Sequence, residues 1–201
     1  MAEMNDSFNE VTAEMLKVIS DYDSVTGFQG AYNIRQDSMC AGRKNSENIT
    51  IESKTDKPGI NIRVKPGTKG ETVYIPACVT HSNVDDLVYN DFFIGEGADV
   101  TIVAGCGVHS DGSETARHNG IHRFFLEKGA KVLYKEKHIG TGKGTGLRRI
   151  DPVTDAYLKE DSYLEMDTVQ LRGVDRTTRS TSAVLEKGAK LSLIHISEPT
   201  R

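Results

Sequence analysis

The amino-acid sequence predicts a mainly β protein, a parallel β-helix that follows one short α-helix. Near the N-terminus, apolar residues recur every three or four positions, which is typical of a helix with one buried face. Beyond residue 28, apolar residues alternate with polar ones, which is the period of a half-buried strand. A glycine-centred segment then repeats at nearly constant intervals, which indicates stacked structural units.

The predicted helix spans residues 7–20. Ser7 and Glu10 have the spacing of a capping box, in which each side chain accepts a hydrogen bond from a free amide of the first turn. One apolar stripe follows, formed by Phe8, Val11, Met15, Val18, Ile19 and Tyr22. Gly27 and Gly30 end the segment, and the sequence predicts no second helix farther on.

Four segments predict the first strands of the β region. They are residues 48–52, 59–65, 71–76 and 87–94. The first two alternate apolar and polar residues over their whole length, so that each has one apolar face. Pro-Gly pairs that begin at Pro58 and Pro66 mark turns on either side of the second strand.

An internal repeat defines the rest of the β region, with copies at residues 94–100, 126–132, 158–164 and 185–191. The turn residues of successive copies are separated by 32, 32 and 27 residues: Gly97, Gly129, Asp161 and Gly188. Glycine adopts a positive φ without a Cβ clash and aspartate tolerates it better than most residues, so each copy predicts a strand, a tight corner and a strand. Stacking of such units favours a parallel β-helix with about one coil per repeat, and a β-sandwich with similar hairpin turns is the alternative.

Composition and charge exclude several classes of protein. Charged residues make up 27% of the chain and hydrophobic residues 37%, which is ordinary for a globular domain. A net charge of −4 and a pI near 5.9 argue against nucleic acid as a partner, and no apolar run approaches the roughly 20 residues of a membrane span. The N-terminus lacks the charged and apolar regions of a signal peptide, so we expect a cytoplasmic protein.

Five stretches carry a resemblance to a known family. They are residues 65–76 (KPGTKGETVYIP), 87–95 (LVYNDFFIG), 104–109 (AGCGVH), 118–125 (HNGIHRFF) and 173–177 (GVDRT). Together they resemble the SufB/SufD family of iron–sulfur cluster assembly scaffolds, in the short form of bacteria and archaea.

The resemblance implies a right-handed parallel β-helix and a non-enzymatic scaffold of the SUF system, on which a transient iron–sulfur cluster is built. It also implies two protein partners, a SufC-type ABC ATPase and a SufB- or SufD-type homologue in a homo- or heterodimer. The residues with which the family handles sulfur and cluster lie later in its β-helix. None of them is therefore carried over onto a position of this chain.

The sequence divides into three segments. Residues 1–27 form a helical lead-in and residues 28–190 form a partial SufBD-like β-helix core. Residues 191–201 (LSLIHISEPTR) match the in-frame translation of a sequencing adapter, so we expect the natural reading frame to be truncated near residue 190. The alternative is a genuine strand, because LSLIHIS alternates apolar and polar residues.

A thiol and three imidazoles form the candidate metal site of the sequence. They are spaced C-x2-H-x8-H-x3-H: Cys106, His109, His118 and His122. Thiolate and imidazole ligands suit iron or zinc. Because Cys40, Cys78 and Cys106 stand far apart, neither disulfides nor a tetrathiolate zinc site is expected.

Strand geometry offers a structural role for the same residues as the alternative. Alternating strand faces point Cys106 and His109 in opposite directions unless a turn intervenes. His118 and His122 lie about 13 Å apart along a strand, too far to bind one ion unless the chain bends at Gly120.

Two other functions remain open. A small cupin-type metalloprotein would use His118, His122 and Glu127, although cupins usually present their first two histidines as H-x-H. A purely structural partner would hold the ATPase complex together without binding a cluster. The sequence predicts no enzyme, because no nucleophile–base pair or carboxylate pair has a spacing that suits catalysis.

The adapter hypothesis is tested by reading the genomic DNA downstream of Lys190. We expect the reading frame to continue with about a hundred residues of further coils and then helices, because each coil of a solenoid is covered by the next. A stop codon directly after Arg201 in the genome would contradict it.

Overall fold

Strands make up most of the part of the chain that the structure describes. The computed structural model describes residues 7–23 and 26–197. Its helix is α1 (Glu10–Ile19), which is too short to cross a membrane. The strands are β1 (Ala31–Gln36), β2 (Met39–Lys44), β3 (Ile49–Ser53), β4 (Gly59–Val64), β5 (Lys69–Val79), β6 (Asp85–Ile94), β7 (Asp99–His109), β8 (Ala116–Leu126), β9 (Lys131–Thr141), β10 (Arg148–Ile150), β11 (Val153–Leu158), β12 (Tyr163–Gln170), β13 (Arg176–Thr177), β14 (Ser180–Leu185) and β15 (Lys190–Ser197).

The strands form two sheets that face each other. The first sheet has the order β15-β12-β9-β7-β5-β1-β2, and the second has the order β13-β10-β8-β6-β4-β3, with β11 joining β8 to β14. Antiparallel pairing is confined to the two hairpins β1–β2 and β3–β4, among the pairs of named strands. These hairpins lie at one end of the coil stack, and the other strand pairs are parallel.

The coils repeat at the interval that the sequence predicts. Asp99 pairs with Lys131, Lys131 with Tyr163, and Tyr163 with Lys190. The first two of these intervals are equal and the third is shorter, as the spacing of the turn residues predicts. The result is a β-solenoid of about four turns, so the predicted mainly β fold, a β-helix with one short helix, is confirmed.

Two other expectations about the β region can be compared with the structure. The β-sandwich alternative is wrong, because successive coils stack in parallel. The four predicted strands are present as β3 to β6, and β15 covers most of the tail that resembles an adapter.

The four predicted corner residues all adopt a positive φ, between 57° and 71°: Gly97, Gly129, Asp161 and Gly188. The amide of each of the first three donates to a carbonyl of the following coil, for example from Gly129 to Glu160 at 3.0 Å. Gly67 begins this series, with a φ of 71° and a bond of 2.9 Å to the Glu96 carbonyl. The sequence interpretation had placed it in an ordinary turn.

Helix α1 begins three residues later than predicted, at Glu10. Its N-cap is Asn9, whose side-chain oxygen accepts from the Thr12 amide at 2.9 Å, so the capping box of Ser7 and Glu10 is wrong. The predicted stripe is also shifted. Its fully buried apolar residues are Met15, Leu16 and Ile19, while Val18 is 40% exposed.

Two glycines of β7 allow α1 to lie directly on the outer face of the first sheet. A Cβ on Gly105 would come within 2.5 Å of the Ile19 carbonyl oxygen. A Cβ on Gly107 would come within 2.4 Å of the Met15 sulfur. The helix therefore covers the backbone of β7 at the point where Cys106 lies between these glycines, and the thiol points the other way.

The Gly105→Ala variant tests this close approach. We expect its free energy of unfolding to fall by about 1–3 kcal/mol, because the added methyl group meets helix backbone that cannot move aside. Urea denaturation measures the difference. The matched control is Gly112→Ala, whose Cβ would meet Ser82 at an ordinary 3.4 Å and which should change stability by less than about 0.5 kcal/mol. Equal effects of the two changes would contradict the proposed contact.

Candidate metal centre

A belt of polar side chains lies inside the β-helix, between two apolar parts of its core. Strand alternation turns every second residue of β6 to β9 inward, and several of these are polar and buried: Asp86, Asn90, Cys106, His118, His122, Glu136 and His138. On one side of the belt lie Phe92, Phe124 and other residues of the main core. On the other side lies a smaller cluster that includes Val108 and Ile150.

The structure brings three of the four predicted ligands into this belt. Cys106, His118 and His122 are all buried inside the β-helix, with exposures of 5%, 2% and 4%. His109 lies on the outer face of β7, where its Nδ1 is 2.9 Å from the Thr141 hydroxyl of the next coil. It is therefore separated from the other three by the thickness of the sheet.

His118 and His122 approach each other more closely than an extended strand suggests. A Cβ on Gly120, which lies between them on the same face, would meet the Nε2 of His122 at 2.4 Å and the Nε2 of His118 at 3.3 Å. Both imidazoles therefore lean over the glycine. The expectation that about 13 Å of strand keeps them apart is wrong, because it treated the side chains as parallel.

A second group of ligand atoms was missed by the sequence interpretation. The Cys106 sulfur, a Glu136 carboxylate oxygen and a His138 ring nitrogen all lie within 4.8 Å of one another, and all three residues are buried. His138 is the register partner of Cys106 in the following coil, and Glu136 shares the inward face of β9 with it. The repeat interval together with the Glu-x-His spacing was the signal that could have found this group.

Glu136 is held as a carboxylate by its neighbours. Arg179 Nη2 donates to its Oε2 at 2.6 Å, and the Tyr134 hydroxyl donates to its Oε1 at 3.0 Å. Burial alone would raise the pKa of Glu136, but His138 and Arg179 outweigh burial and hold that pKa well below its ordinary value. The belt therefore contains a fixed negative charge.

Two of the buried imidazoles have nitrogens without a hydrogen bond. They are His122 Nδ1 and both nitrogens of His138. His138 Nε2 lies 3.3 Å from Glu136 Oε2, a contact that does not meet the geometry of a hydrogen bond. Burial lowers the pKa of His122 to about 4, so this ring is neutral at pH 7 and offers a lone pair.

Cys106 is a protected thiol in this arrangement. Burial raises its pKa well above the ordinary value, and the nearby Glu136 carboxylate adds to the shift. The flanking Gly105 and Gly107 do not give access to it, because the space they leave is filled by α1. The thiol instead borders an interior cavity of about 20 Å³, which also touches His118 and His122 and has room for one water molecule.

A separate ion network fixes the other end of the belt. The Asp86 carboxylate accepts from Arg35 at 2.7 to 3.0 Å and lies 3.0 Å from Nδ1 of His118. Burial alone would raise the pKa of Asp86, but His118 and Arg35 outweigh it and hold the pKa well below the usual range. This network orients the His118 ring, with its Nε2 over Gly120.

The cupin-type hypothesis is wrong for this fold. A cupin closes an antiparallel barrel, whereas these coils are parallel. Glu127, its third expected ligand, lies on an exposed corner, where it accepts from Lys159 at 2.7 Å. It therefore cannot join His118 and His122.

Comparisons with known proteins find relatives of one kind. No protein-family model and no solved structure matches the chain. An iron–sulfur cluster assembly SufBD family protein of Archaeoglobus fulgidus is 33% identical over 98 residues, which is 48% of this chain and 26% of that protein. Two proteins of the same description from Methanothermobacter thermautotrophicus, strains Winter and Delta H, are 32% and 30% identical over 89 residues.

The predicted resemblance to the SufB/SufD family is confirmed. The matched segments cover under half of this chain, and between 21% and 26% of the curated relatives. The chain thus corresponds to a limited part of those proteins. Their names describe iron–sulfur cluster assembly, and the structure adds a buried thiol, carboxylate and imidazole.

The Asp86→Asn variant tests the network around His118. We expect it to lower the free energy of unfolding by about 3 kcal/mol at pH 7, because it leaves the partly buried Arg35 without its counter-ion and the buried His118 without its carboxylate partner. The carboxylate's pKa is lower folded than unfolded, so its contribution is complete above about pH 5 and is lost as the pH falls further. The difference between the two proteins should therefore shrink toward pH 3.

Urea denaturation at pH 7, 5 and 3 measures this difference. Asp85→Asn is the matched control, because Asp85 is 65% exposed and only contacts Arg117 at 3.5 Å. It should change stability by less than about 1 kcal/mol at every pH. A constant effect of Asp86→Asn across the pH range would show that its charge is not what stabilises the fold.

Proposed function

We propose that this chain takes part in iron–sulfur cluster assembly as a scaffold. The observation that carries the proposal is its similarity to three curated SufBD family proteins of iron–sulfur cluster assembly. The interior of the β-helix supports it chemically, since a thiol, a carboxylate and imidazoles are the ligands that iron takes in proteins. The cluster is cargo in this proposal, built and then passed on.

The proposed role is non-enzymatic. The buried belt offers ligands and charges, and its Glu136 carboxylate is held in an ion pair with Arg179. Such a site stabilises bound metal and sulfur better than it moves protons. We place the scaffold in the cytoplasm, as part of the SUF system.

Two partners belong to the proposal. A SufC-type ABC ATPase and a SufB- or SufD-type homologue would complete the assembly. The chain would then consist of a helical lead-in (residues 1–27), a partial β-helix core (28–190) and an adapter-derived tail (191–201). The competing hypothesis is a purely structural partner, which holds the ATPase complex without binding a cluster.

Anaerobic reconstitution tests the scaffold role. The chain is incubated with Fe(II), L-cysteine and a cysteine desulfurase, then desalted. We expect a visible iron–sulfur chromophore that is lost to an added apo-ferredoxin. Cys106→Ser should lower its yield several-fold, because this thiol lies in the ligand group. Cys40→Ser is the matched control, since Cys40 is partly exposed and is not one of the three residues of the ligand group.

Co-elution with a SufC-type ATPase in size-exclusion chromatography separates the two hypotheses. A chain that co-elutes but never acquires a chromophore supports the structural partner. A chain that does neither contradicts both. Equal chromophore yield from the Cys106→Ser and Cys40→Ser variants would show that the interior thiol takes no part.

A further inference from the structure

We propose that Cys106, Glu136 and His138 bind one divalent transition-metal ion inside the β-helix. Until the ion binds, the Arg179 guanidinium balances the negative charge of Glu136. The inference deepens the proposed function, because it assigns the site at which a scaffold would take up ferrous iron. Metal binding can nevertheless be measured without any cluster being built, so the metal site and the scaffold role can each be contradicted without the other.

The geometry of the three ligand atoms suits one ion. They lie within 4.8 Å of one another on two paired strands. Ligands of a tetrahedral ion at about 2.0–2.3 Å from the metal are separated by roughly 3.5 Å, so a small contraction of side chains completes the site. Cys106 and His138 are directly opposed across the β7–β9 pair, which fixes their separation through the backbone.

His138 is the observation that points to a ligand. Its side chain has no exposed surface, and both ring nitrogens are without a hydrogen bond. A buried polar atom left unpaired costs about 1–3 kcal/mol. Binding to a metal through one nitrogen would remove part of that cost, so the fold already holds this imidazole in a state that favours an ion.

The chemistry of the ligand set selects the ion. A thiolate and an imidazole favour Fe(II), Co(II) or Zn(II), whereas Mg(II) and Ca(II) prefer oxygen ligands throughout. Binding forms bonds from the metal to the Cys106 sulfur, a Glu136 oxygen and a His138 nitrogen, and the thiol proton and any proton on that nitrogen are released to solvent. His122, whose Nδ1 is also buried and unpaired, and a water in the neighbouring cavity are the candidates for the remaining position.

Arg179 provides the competing positive charge. Its guanidinium lies 2.6 Å from Glu136, yet its side chain is 21% exposed, so it has a route back to solvent. Arg179 belongs to the coil that follows the one containing Pro152. The amide of the neighbouring Ser180 donates to the Pro152 carbonyl and joins the two coils at this point. A divalent ion at Glu136 would repel the guanidinium, which means that ion binding and the Glu136–Arg179 contact exclude each other.

Anaerobic titration of the 1–201 chain with Co(II) tests the proposal. We expect one ion per chain and a thiolate-to-cobalt charge-transfer absorption. Cys106→Ser should abolish this absorption, and His138→Gln should weaken binding at least tenfold. Arg179→Gln should strengthen binding about tenfold, because it removes the competing cation. Cys40→Ser is the matched control and should behave as the unchanged chain does.

Circular dichroism and thermal melting of each variant show whether it is folded. Loss of structure cannot explain both a weaker cobalt affinity in His138→Gln and a stronger one in Arg179→Gln. Absence of the charge-transfer absorption in the folded chain, or its persistence in Cys106→Ser, overturns the proposal. Weaker binding by a folded Arg179→Gln variant overturns the role of Arg179. Cobalt binding without cluster formation supports the metal site and counts against the scaffold role, and the reverse result counts against the metal site.

Discussion

Parallel pairing at a fixed interval is the constraint on which the rest of this structure depends. Each coil must return to the same corner after a nearly constant length of chain, and a positive φ is required there in every coil. Because the pairing is parallel and in register, residues one interval apart stack on one another. Phe92 on Phe124, Phe93 on Phe125 and Cys106 beside His138 all follow from this single rule. The composition of one coil therefore decides the surroundings of the next.

The polar belt is the part of the fold that stability does not explain. Burying ionised or unpaired groups is costly, and apolar residues of similar size are often at least as stabilising. The belt is nonetheless enclosed by well-packed aromatic and aliphatic residues such as Phe124 and Ile150. Polar groups that a core does not need, stacked along the interior of successive coils, are what a binding site inside the β-helix requires.

Much of the fold could be predicted from the sequence, because its signals are local and repeat. Alternation located β3 to β6, and the corner residues Gly97, Gly129 and Asp161 fixed the interval between coils. The helix cap was misassigned because Ser7 and Asn9 are both good capping residues and the choice depends on packing. The buried group of candidate metal ligands could be predicted only in part. Its residues Cys106 and His138 are 32 positions apart in the sequence, and only the interval between coils shows that they are paired.

The two glycines beneath α1 have a consequence for the chemistry behind them. Only strand β7 separates Met15 and Ile19 of the helix from the Cys106 thiol. Gly105 and Gly107 have no side chains to fill the space between β7 and the helix. The backbone on either side of Cys106 is thus covered from outside by a separate element, α1, which packs on it through Met15 and Ile19. Displacing α1 would remove the packing that holds β7 in place. A change on the outer surface would therefore alter the position of the Cys106 sulfur inside the β-helix.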